Sequence, residues 1–379
     1  MTRETDAAAD CYGLSPRQIA TLPVLEGESA YRGRQIARWI YEAGARRFEE
    51  MTDLSKEIRA RLESACVIGR LDPESEETAA DDGATKYLFR LRDGRTVEAV
   101  WIRDEGRDTL CVSSQAGCAY GCTFCATAAM RAGRDLTPGE ILSQVAFLRD
   151  AIARRGGSEA HNLVFMGMGE PLANYDGVVG ALRILVSRPG FGLAHRRITV
   201  STVGLEPGIR RLTREPLGVR LAFSLNATTD TVRSELMPIN RKYPFRRVFE
   251  ALREYQERKR APVTLEYVLL RGINDRVEDA ERLARFARSL QCKVNLIAYN
   301  PHAFARYEPV PDPEIEAFRR RMLPIAGRVT ITVRWSKGRD IAAACGQLAT
   351  RTGADEKRPA GGERDRRAAG ASGGRPVSR

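Results

Sequence analysis

The spacing of apolar residues changes along the chain, and its first section has the spacing of helices. Near the start, Ile36, Trp39 and Ile40 recur at helical intervals, and arginines fill several of the positions between and beside them. A second helix is predicted to begin after Ser55, a favourable N-cap residue. We therefore expect residues 1–75 to form a small basic helical domain.

The next section has the composition of β-strands. Residues 87–91 and 96–102 are rich in β-branched and aromatic side chains, and the Asp93-Gly94 pair between them is typical of a tight turn. This pattern predicts a β-hairpin, which we expect to form a short β extension over residues 76–106.

Beyond Cys111, short apolar strands alternate with amphipathic helices. Thr137 and Glu140 have the spacing of a capping box, and Pro138 stands at the first helical position between them. Repeats of strand and helix predict an α/β fold with parallel strands, whose reactive groups gather at the carboxyl ends of the strands. The predicted strands are 110–113, 163–166, 198–201, 219–225, 264–269, 294–298 and 329–333.

Composition and charge narrow the class of protein. The chain has 379 residues, 43% of them hydrophobic, which is enough for a full-sized core. The net charge of +12 favours an acidic partner, and we expect RNA rather than a membrane, although arginine-rich solvated surfaces are an alternative explanation. No apolar stretch is long enough to span a bilayer and the start resembles no leader, so a cytoplasmic protein is expected. Residues 350–379 have hardly any large apolar side chains and predict a disordered tail.

Three cysteines, Cys118, Cys122 and Cys125, form a CxxxCxxC run. Three thiolates leave one iron of an iron–sulfur cluster open to another ligand. This arrangement suits S-adenosylmethionine, whose amine and carboxylate chelate that iron while an electron from the cluster breaks the bond between sulfur and the 5′-carbon. A structural zinc site is the alternative, but none of the three histidines lies close to the run in sequence. Disulfides are disfavoured because a long chain with few cysteines and no leader suits a reducing compartment.

The segment 109–118 that leads into this triad, together with Met166-Gly167-Met168-Gly169-Glu170-Pro171, resembles the RlmN and Cfr type radical S-adenosylmethionine RNA adenine methyltransferases. The resemblance extends from about Leu14 to Leu348 and includes the ending Ala343-Ala344-Cys345-Gly346-Gln347-Leu348.

The resemblance implies a partial (β/α)6 radical SAM barrel over residues 107–349. It further implies one [4Fe-4S] cluster on the triad, two molecules of S-adenosylmethionine per turnover, and methylation of adenine C2 in 23S rRNA and tRNA. A reductant protein such as flavodoxin is implied as well. Methylation at C8 is the alternative within the family, and a non-catalytic zinc-containing RNA-binding protein is the alternative outside it.

Adenine C2 and C8 are electrophilic carbons, so direct donation of a methyl cation to them fails. The resemblance implies instead that Cys345 is methylated, that a 5′-deoxyadenosyl radical takes hydrogen from its S-methyl group, and that the resulting carbon radical adds to the ring. Glu98 is implied as the proton acceptor and Cys111 as the resolving thiol, which forms a transient disulfide with Cys345. On residue type alone, both cysteines could be inert buried thiols and Glu98 an outward-facing strand residue.

The resemblance also implies the contacts to S-adenosylmethionine. A glycine after a buried strand lets the backbone approach the cofactor, and a nearby carbonyl or carboxylate can receive its ammonium group. The implied contacts are Gly169, Glu170, Ser201, Ser224, Leu225, Asn226 and Asn300.

Two residues depart from the pattern of many relatives. Asn226 replaces a histidine and can form hydrogen bonds but cannot titrate, so no acid–base role is expected there. Asp135 replaces an asparagine and adds a negative charge beside the cluster loop. Cys11, Cys66 and Cys292 match no motif and are interpreted as structural or incidental.

Overall fold

A computed structural model describes residues 8–80, 83–104, 106–130, 133–157 and 160–349. In these ranges the strands are β1 (Ala9–Asp10), β2 (Cys66–Val67), β3 (Pro73–Thr78), β4 (Ala84–Arg90), β5 (Thr96–Asp104), β6 (Arg107–Cys111), β7 (Asn162–Phe165), β8 (Ile198–Thr202), β9 (Arg220–Ser224), β10 (Val263–Leu269), β11 (Cys292–Ala298) and β12 (Thr330–Arg334). The helices are α1 (Pro16–Ala20), α2 (Tyr31–Tyr41), α3 (Lys56–Ala65), α4 (Ala126–Ala129), α5 (Pro138–Arg154), α6 (Tyr175–Val186), α7 (Glu206–Arg214), α8 (Asp230–Leu236), α9 (Phe245–Lys259), α10 (Val277–Arg288) and α11 (Asp312–Ala326). The predicted tail, 350–379, lies outside the described residues.

The first three helices have the apolar faces that the sequence predicts. Ile36 and Ile40 of α2 are buried, and Ser55 caps α3 by accepting a hydrogen bond from the backbone N–H of Ile58. The short strands β1 and β2 pair in parallel beside these helices. Of the helices in the described ranges, none is long and apolar enough to cross a membrane.

A single ten-stranded sheet organises the rest of the described chain, in the order β12-β11-β10-β9-β8-β7-β6-β5-β4-β3. Strands β6 to β12 are parallel neighbours in chain order, and helices connect most of them, as parallel pairing requires. The carboxyl ends of these strands therefore lie along one edge, where loops can meet. The prediction of an α/β fold with parallel strands is confirmed, and each predicted strand overlaps an observed one.

The predicted hairpin is formed by β4 and β5, which pair antiparallel on either side of a turn that contains Gly94 with φ of 81°. Strand β3 pairs with β4 and was not predicted. Its residues Pro73–Thr78 are mostly exposed and carry no alternating apolar side chains, because β3 lies at the edge of the sheet.

The first segment of the chain packs tightly against the start of α5. Thr137 caps this helix with the predicted capping box. A Cβ atom on Gly139 would lie only 2.3 Å from the carbonyl oxygen of Tyr12, and one on Gly13, where φ is 102°, would lie 2.4 Å from the backbone nitrogen of Gly139. Two glycines thus allow the backbones of these segments to touch.

Candidate active site

The CxxxCxxC loop follows β6 and ends at α4. Burial and the charges of neighbouring groups, including Cys125 and Glu170, raise the pKa of Cys118 to about 12 and raise that of Cys122 well above its usual value. The three thiols therefore lie within electrostatic reach of one another. Neutral thiols crowded in this way ionise when a cationic metal group binds them, so the donor set fits an iron–sulfur cluster.

The predicted Gly169–Glu170 contact packs against Gln115, just before the cluster loop. The φ of Gly169 is 97°, and a Cβ atom there would lie 2.5 Å from the Cβ of Gln115. The buried carboxylate of Glu170 accepts hydrogen bonds from the backbone N–H groups of Leu172, at 3.0 Å, and Val203, at 2.8 Å. Burial raises the pKa of Glu170 to about 7. Glu170 thus fixes the loops after β7 and β8 relative to each other.

Asp135, which departs from the family pattern, is hydrogen-bonded to Gln115, just before the cluster loop. Its carboxylate accepts a hydrogen bond of 2.6 Å from Nε2 of Gln115, and Oε1 of Gln115 accepts one of 2.8 Å from the backbone N–H of Glu170. The charge of Asp135 therefore orients Gln115, which in turn holds the Gly169–Glu170 turn.

The structure places the other predicted cofactor contacts at the ends of neighbouring strands. Ser201 lies in β8, Ser224 is the last residue of β9, and Leu225 follows it. Asn226 has φ of 54°, and its Oδ1 accepts a hydrogen bond of 2.9 Å from the backbone N–H of Val268. The amide of Asn226 therefore already has a partner within the protein.

Asn300 follows β11 and connects that strand to the segment that carries Cys345. Its Nδ2 donates to Oγ of Ser336 at 2.8 Å and to the carbonyl of Cys345 at 3.1 Å. Its buried Oδ1 has no hydrogen-bond partner among the described residues. An unpaired buried acceptor of this kind is suited to a donor on a ligand.

The thiols of Cys111 and Cys345 lie within electrostatic reach of each other. Burial and then the charge of Cys345 raise the pKa of Cys111 to about 12. Cys345 remains exposed to solvent, but the surrounding protein still removes enough water to raise its pKa to about 11, with further contributions from the charges of Glu266 and Cys125. The Cys345 thiol is therefore close to the predicted resolving thiol, to one cluster ligand and to a buried carboxyl group.

Hydrogen bonds to residues just after Cys345 fix its segment against α4, the cluster helix, which follows the cluster loop. The backbone N–H of Ala126 donates to the carbonyl of Gly346 at 2.7 Å, and Oγ1 of Thr127 donates to the carbonyl of Leu348 at 2.6 Å. These bonds leave the thiol itself free.

Glu98 is buried in β5 and faces a lysine. Its Oε1 lies 3.4 Å from Nζ of Lys86, and its Oε2 has no partner in the described part of the chain. Burial raises the pKa of Glu98, and the charge of Lys86 opposes that shift. The outward-facing alternative for Glu98 is wrong, because the side chain is 7% exposed.

Sequence reasoning missed three charged residues near this site: the partly buried Lys86 and the buried Arg233 and Glu266. Nothing in the sequence pattern indicates that Lys86 and Arg233 are buried, because a lysine in a hairpin and an arginine on a helix are usually solvated. Glu266 could have been recognised, since its carboxyl group interrupts the apolar strand predicted at 264–269.

The fold and the loop identify the class of protein, and comparison with known families agrees. The profile of the radical SAM superfamily matches residues 112–287, and that of the ribosomal RNA large subunit methyltransferase N-terminal domain matches residues 10–68. A solved radical SAM methyltransferase from Sphaerobacter thermophilus is 42% identical, with a TM-score of 0.83, and the match covers 90% of this chain and 99% of that one. The protein is therefore a radical SAM enzyme, and its cofactors are a [4Fe-4S] cluster and S-adenosylmethionine.

Curated relatives identify the family within this class. The dual-specificity RNA methyltransferase RlmN of Pelobacter propionicus is 47% identical over 334 residues, covering 86% of this chain and 94% of that protein. RlmN of Anaeromyxobacter dehalogenans is 45% identical over 377 residues, covering 98% of each. The chain belongs to the RlmN family.

Proposed function

We propose that this protein methylates C2 of adenine in 23S rRNA and in tRNA, in the cytoplasm, through a methylated cysteine. One observation carries the proposal: the thiol of Cys345 lies within electrostatic reach of both Cys111 and the predicted cluster ligand Cys125. Two thiols beyond the cluster ligands have no use in a simple methyl transfer, but a covalent route needs both. The RlmN relatives, named as dual-specificity RNA methyltransferases, support RNA as the substrate.

When bound, the cluster and S-adenosylmethionine supply the methyl group and remove one hydrogen atom from it. Cys345 carries that methyl group on sulfur and then presents it as a carbon radical. A new carbon–carbon bond forms at C2, giving a thioether that joins Cys345 to the base. The adduct returns the electron that the cleavage of S-adenosylmethionine consumed, and C2 loses its proton.

Glu98 is proposed to accept the proton from C2. Its unpaired Oε2 is available, and burial raises its pKa towards the range in which a carboxylate is an effective base. The charge of Lys86, whose Nζ lies 3.4 Å from Oε1 of Glu98, opposes this rise in pKa and so favours the carboxylate form.

Cys111 is proposed to release the product. Its thiolate attacks the sulfur of Cys345, a disulfide forms, and the carbon–sulfur bond breaks. The carbon takes the electron pair of that bond and one proton, which completes the methyl group. A dithiol or another two-electron reductant then reduces the disulfide, while a flavodoxin-like protein supplies electrons to the cluster.

We further propose a division of labour along the chain. The helical domain, 1–75, whose arginines include the exposed Arg34 of α2 but whose net charge is not positive, binds RNA. The β extension, 76–106, supplies Glu98, and the core, 107–349, holds the cofactors. The basic tail, 350–379, adds electrostatic affinity for RNA.

Mass spectrometry of nucleosides tests the proposed function. Purified enzyme is incubated anaerobically with reductant, S-adenosylmethionine and unmodified 23S rRNA or tRNA transcripts. We expect 2-methyladenosine from both RNAs, and none when Cys345→Ala is used. Formation of 8-methyladenosine would assign the alternative regiochemistry, and absence of any methylated adenosine would refute the proposal.

A further inference from the structure

Glu266 is a buried carboxyl group to which the reaction described above gives no role. It lies in the middle of β10, and its two neighbours in that strand, Leu265 and Tyr267, are fully buried. The register of the sheet aligns Glu266 with Ser224 on one side and with Asn295 on the other, so these side chains share a face. Ser224 is a predicted cofactor contact, and this face therefore belongs to the active-site side of the sheet.

A chain of hydrogen bonds fixes one oxygen of Glu266. Asn295 donates from Nδ2 to Oε1 of Glu266 at 2.9 Å, and Oγ1 of Thr332 donates to Oδ1 of Asn295 at 2.7 Å. Asn295 is aligned with Thr332 in β12, so three adjacent strands build this support. Because Thr332 fixes Asn295 and Asn295 fixes Oε1 of Glu266, the direction of the second oxygen, Oε2, is fixed as well.

Oε2 of Glu266 is buried and has no hydrogen-bond partner among the described residues. The residue is 5% exposed, so bulk water does not readily supply the missing donor. Leaving a buried polar atom of this kind unpaired destabilises the folded protein. Three strands hold this acceptor in place, which indicates that a ligand supplies the missing hydrogen-bond donor.

The position of Glu266 relative to the thiols indicates which ligand this is. Asn295, which holds Glu266, lies in β11, and Asn300, just after that strand, donates a hydrogen bond to the carbonyl of Cys345. Glu266 is therefore connected through β11 to the segment of Cys345, the proposed methyl carrier, where the acceptor base must come.

We infer that Oε2 of Glu266 hydrogen-bonds the edge of the target adenine that carries N1 and the 6-amino group. A carboxylate accepts from the amino group, and a carboxylic acid donates to N1, so this edge suits either form. Such a bond lies in the plane of the ring and leaves the face of C2 open to the methylene carbon of Cys345. The inference rests on the proposed function and adds a residue that holds the base.

The test pairs variants of Glu266 with changed bases. Anaerobic holoenzyme, as wild type, Glu266→Met and Glu266→Gln, is given synthetic RNA hairpins with adenosine, purine riboside or 1-deazaadenosine at the target position. The measured quantities are kcat/KM and the methylated product formed per 5′-deoxyadenosine. Glu250→Met, an exposed glutamate of α9, is the control.

We expect wild type to discriminate roughly tenfold or more against one of the two analogues, and Glu266→Met to lose that discrimination. Glu266→Gln, which keeps hydrogen-bonding atoms, should restore part of it. Methylation of Cys345, measured on its peptide, and binding of S-adenosylmethionine should stay at the wild-type level in both variants.

Three results would overturn the inference. They are unchanged discrimination in a folded Glu266→Met or Glu266→Gln protein, loss of S-adenosylmethionine binding in Glu266→Gln, and equal reactivity of all three bases with wild type. The nearly isosteric Glu266→Gln decides the matter if Glu266→Met does not fold. A wild type that methylates no hairpin would refute the proposed function itself, which is a distinguishable outcome.

Discussion

At the scale of single residues, the chemistry depends on individual side chains. Where such side chains lie within one loop, their spacing in the sequence is enough to predict that they act together. Cys118, Cys122 and Cys125 were predicted in this way because their loop is local. Glu266 could not be assigned, because its role depends on hydrogen bonds to Asn295 and on the register of three strands. The sequence contains that register only through the whole fold.

Replacing Cys118, Cys122 or Cys125 by Ala should abolish cluster binding. Each thiolate binds one iron, and in the described chain the other cysteines lie outside this loop. Iron and sulfide analysis after anaerobic reconstitution measures the effect. Cys292→Ala is the matched control. The buried thiol of Cys292 donates a hydrogen bond to the carbonyl of Ala287 and should be dispensable for the cluster. A full iron content in any triad variant would remove that residue from the ligand set.

The two other site thiols should fail at different stages. Cys345→Ala cannot accept a methyl group, so no protein–RNA adduct forms. Cys111→Ala can still reach the adduct but has no thiol to break it, and protein should remain covalently attached to RNA. Denaturing gels with and without ribonuclease show the difference. Free Cys111→Ala protein together with normal product would leave Cys111 as a packing residue only.

At the scale of elements, apolar periodicity predicted the strands that are buried and missed the one that is not. The capping box at Thr137 correctly gave the start of α5, since both of its partners are local. Strand β3 is an exposed edge strand, and no apolar alternation marks it. Arg233 of α8 was also missed, although it joins the ends of two strands.

Arg233 should contribute strongly to stability. It is fully buried and donates hydrogen bonds to the carbonyls of Val203, Ser224 and Leu225 and to Oδ1 of Asn240. Arg233→Met leaves these acceptors unpaired and should lower the free energy of unfolding by about 2–4 kcal/mol.

Urea denaturation of cluster-free protein measures this loss without the contribution of the metal group. Arg246→Met is the control, because the side chain of Arg246 is 88% exposed and its removal should change stability by less than about 0.5 kcal/mol. Equal effects of the two substitutions would show that the buried bonds of Arg233 do not stabilise the strand ends.

At the scale of the whole molecule, alternation of strand and helix predicted that the carboxyl ends of the strands would lie along one edge of a parallel sheet, and in the described sheet they do. The sequence could not predict how the ending with Cys345 returns to the cluster helix, because that contact joins segments far apart in the chain. The resemblance to a family supplied the role of Cys345, and the contacts of the fold supply its position.

Binding of RNA should depend steeply on salt. The chain has a net charge of +12, and each phosphate that it neutralises releases counterions. Arg34→Gln, an exposed change on α2, should weaken binding and reduce the slope of log K against log salt by about one. Filter binding across a salt series measures this, with Arg246→Gln as the control. A similar loss from both variants would argue against RNA binding by the helical domain.

The attachment of the Cys345 segment to α4 has a consequence for how the protein is made. The cluster loop, Glu170 and the strands that hold them are translated before Cys345. A product of premature termination just before Cys345 would keep the three cluster thiols and Glu170 but would lack the proposed methyl acceptor. Any radical made by such a fragment would have no proper target, so a nonsense mutation just before the codon of Cys345 should be more harmful to the cell than complete loss of the gene.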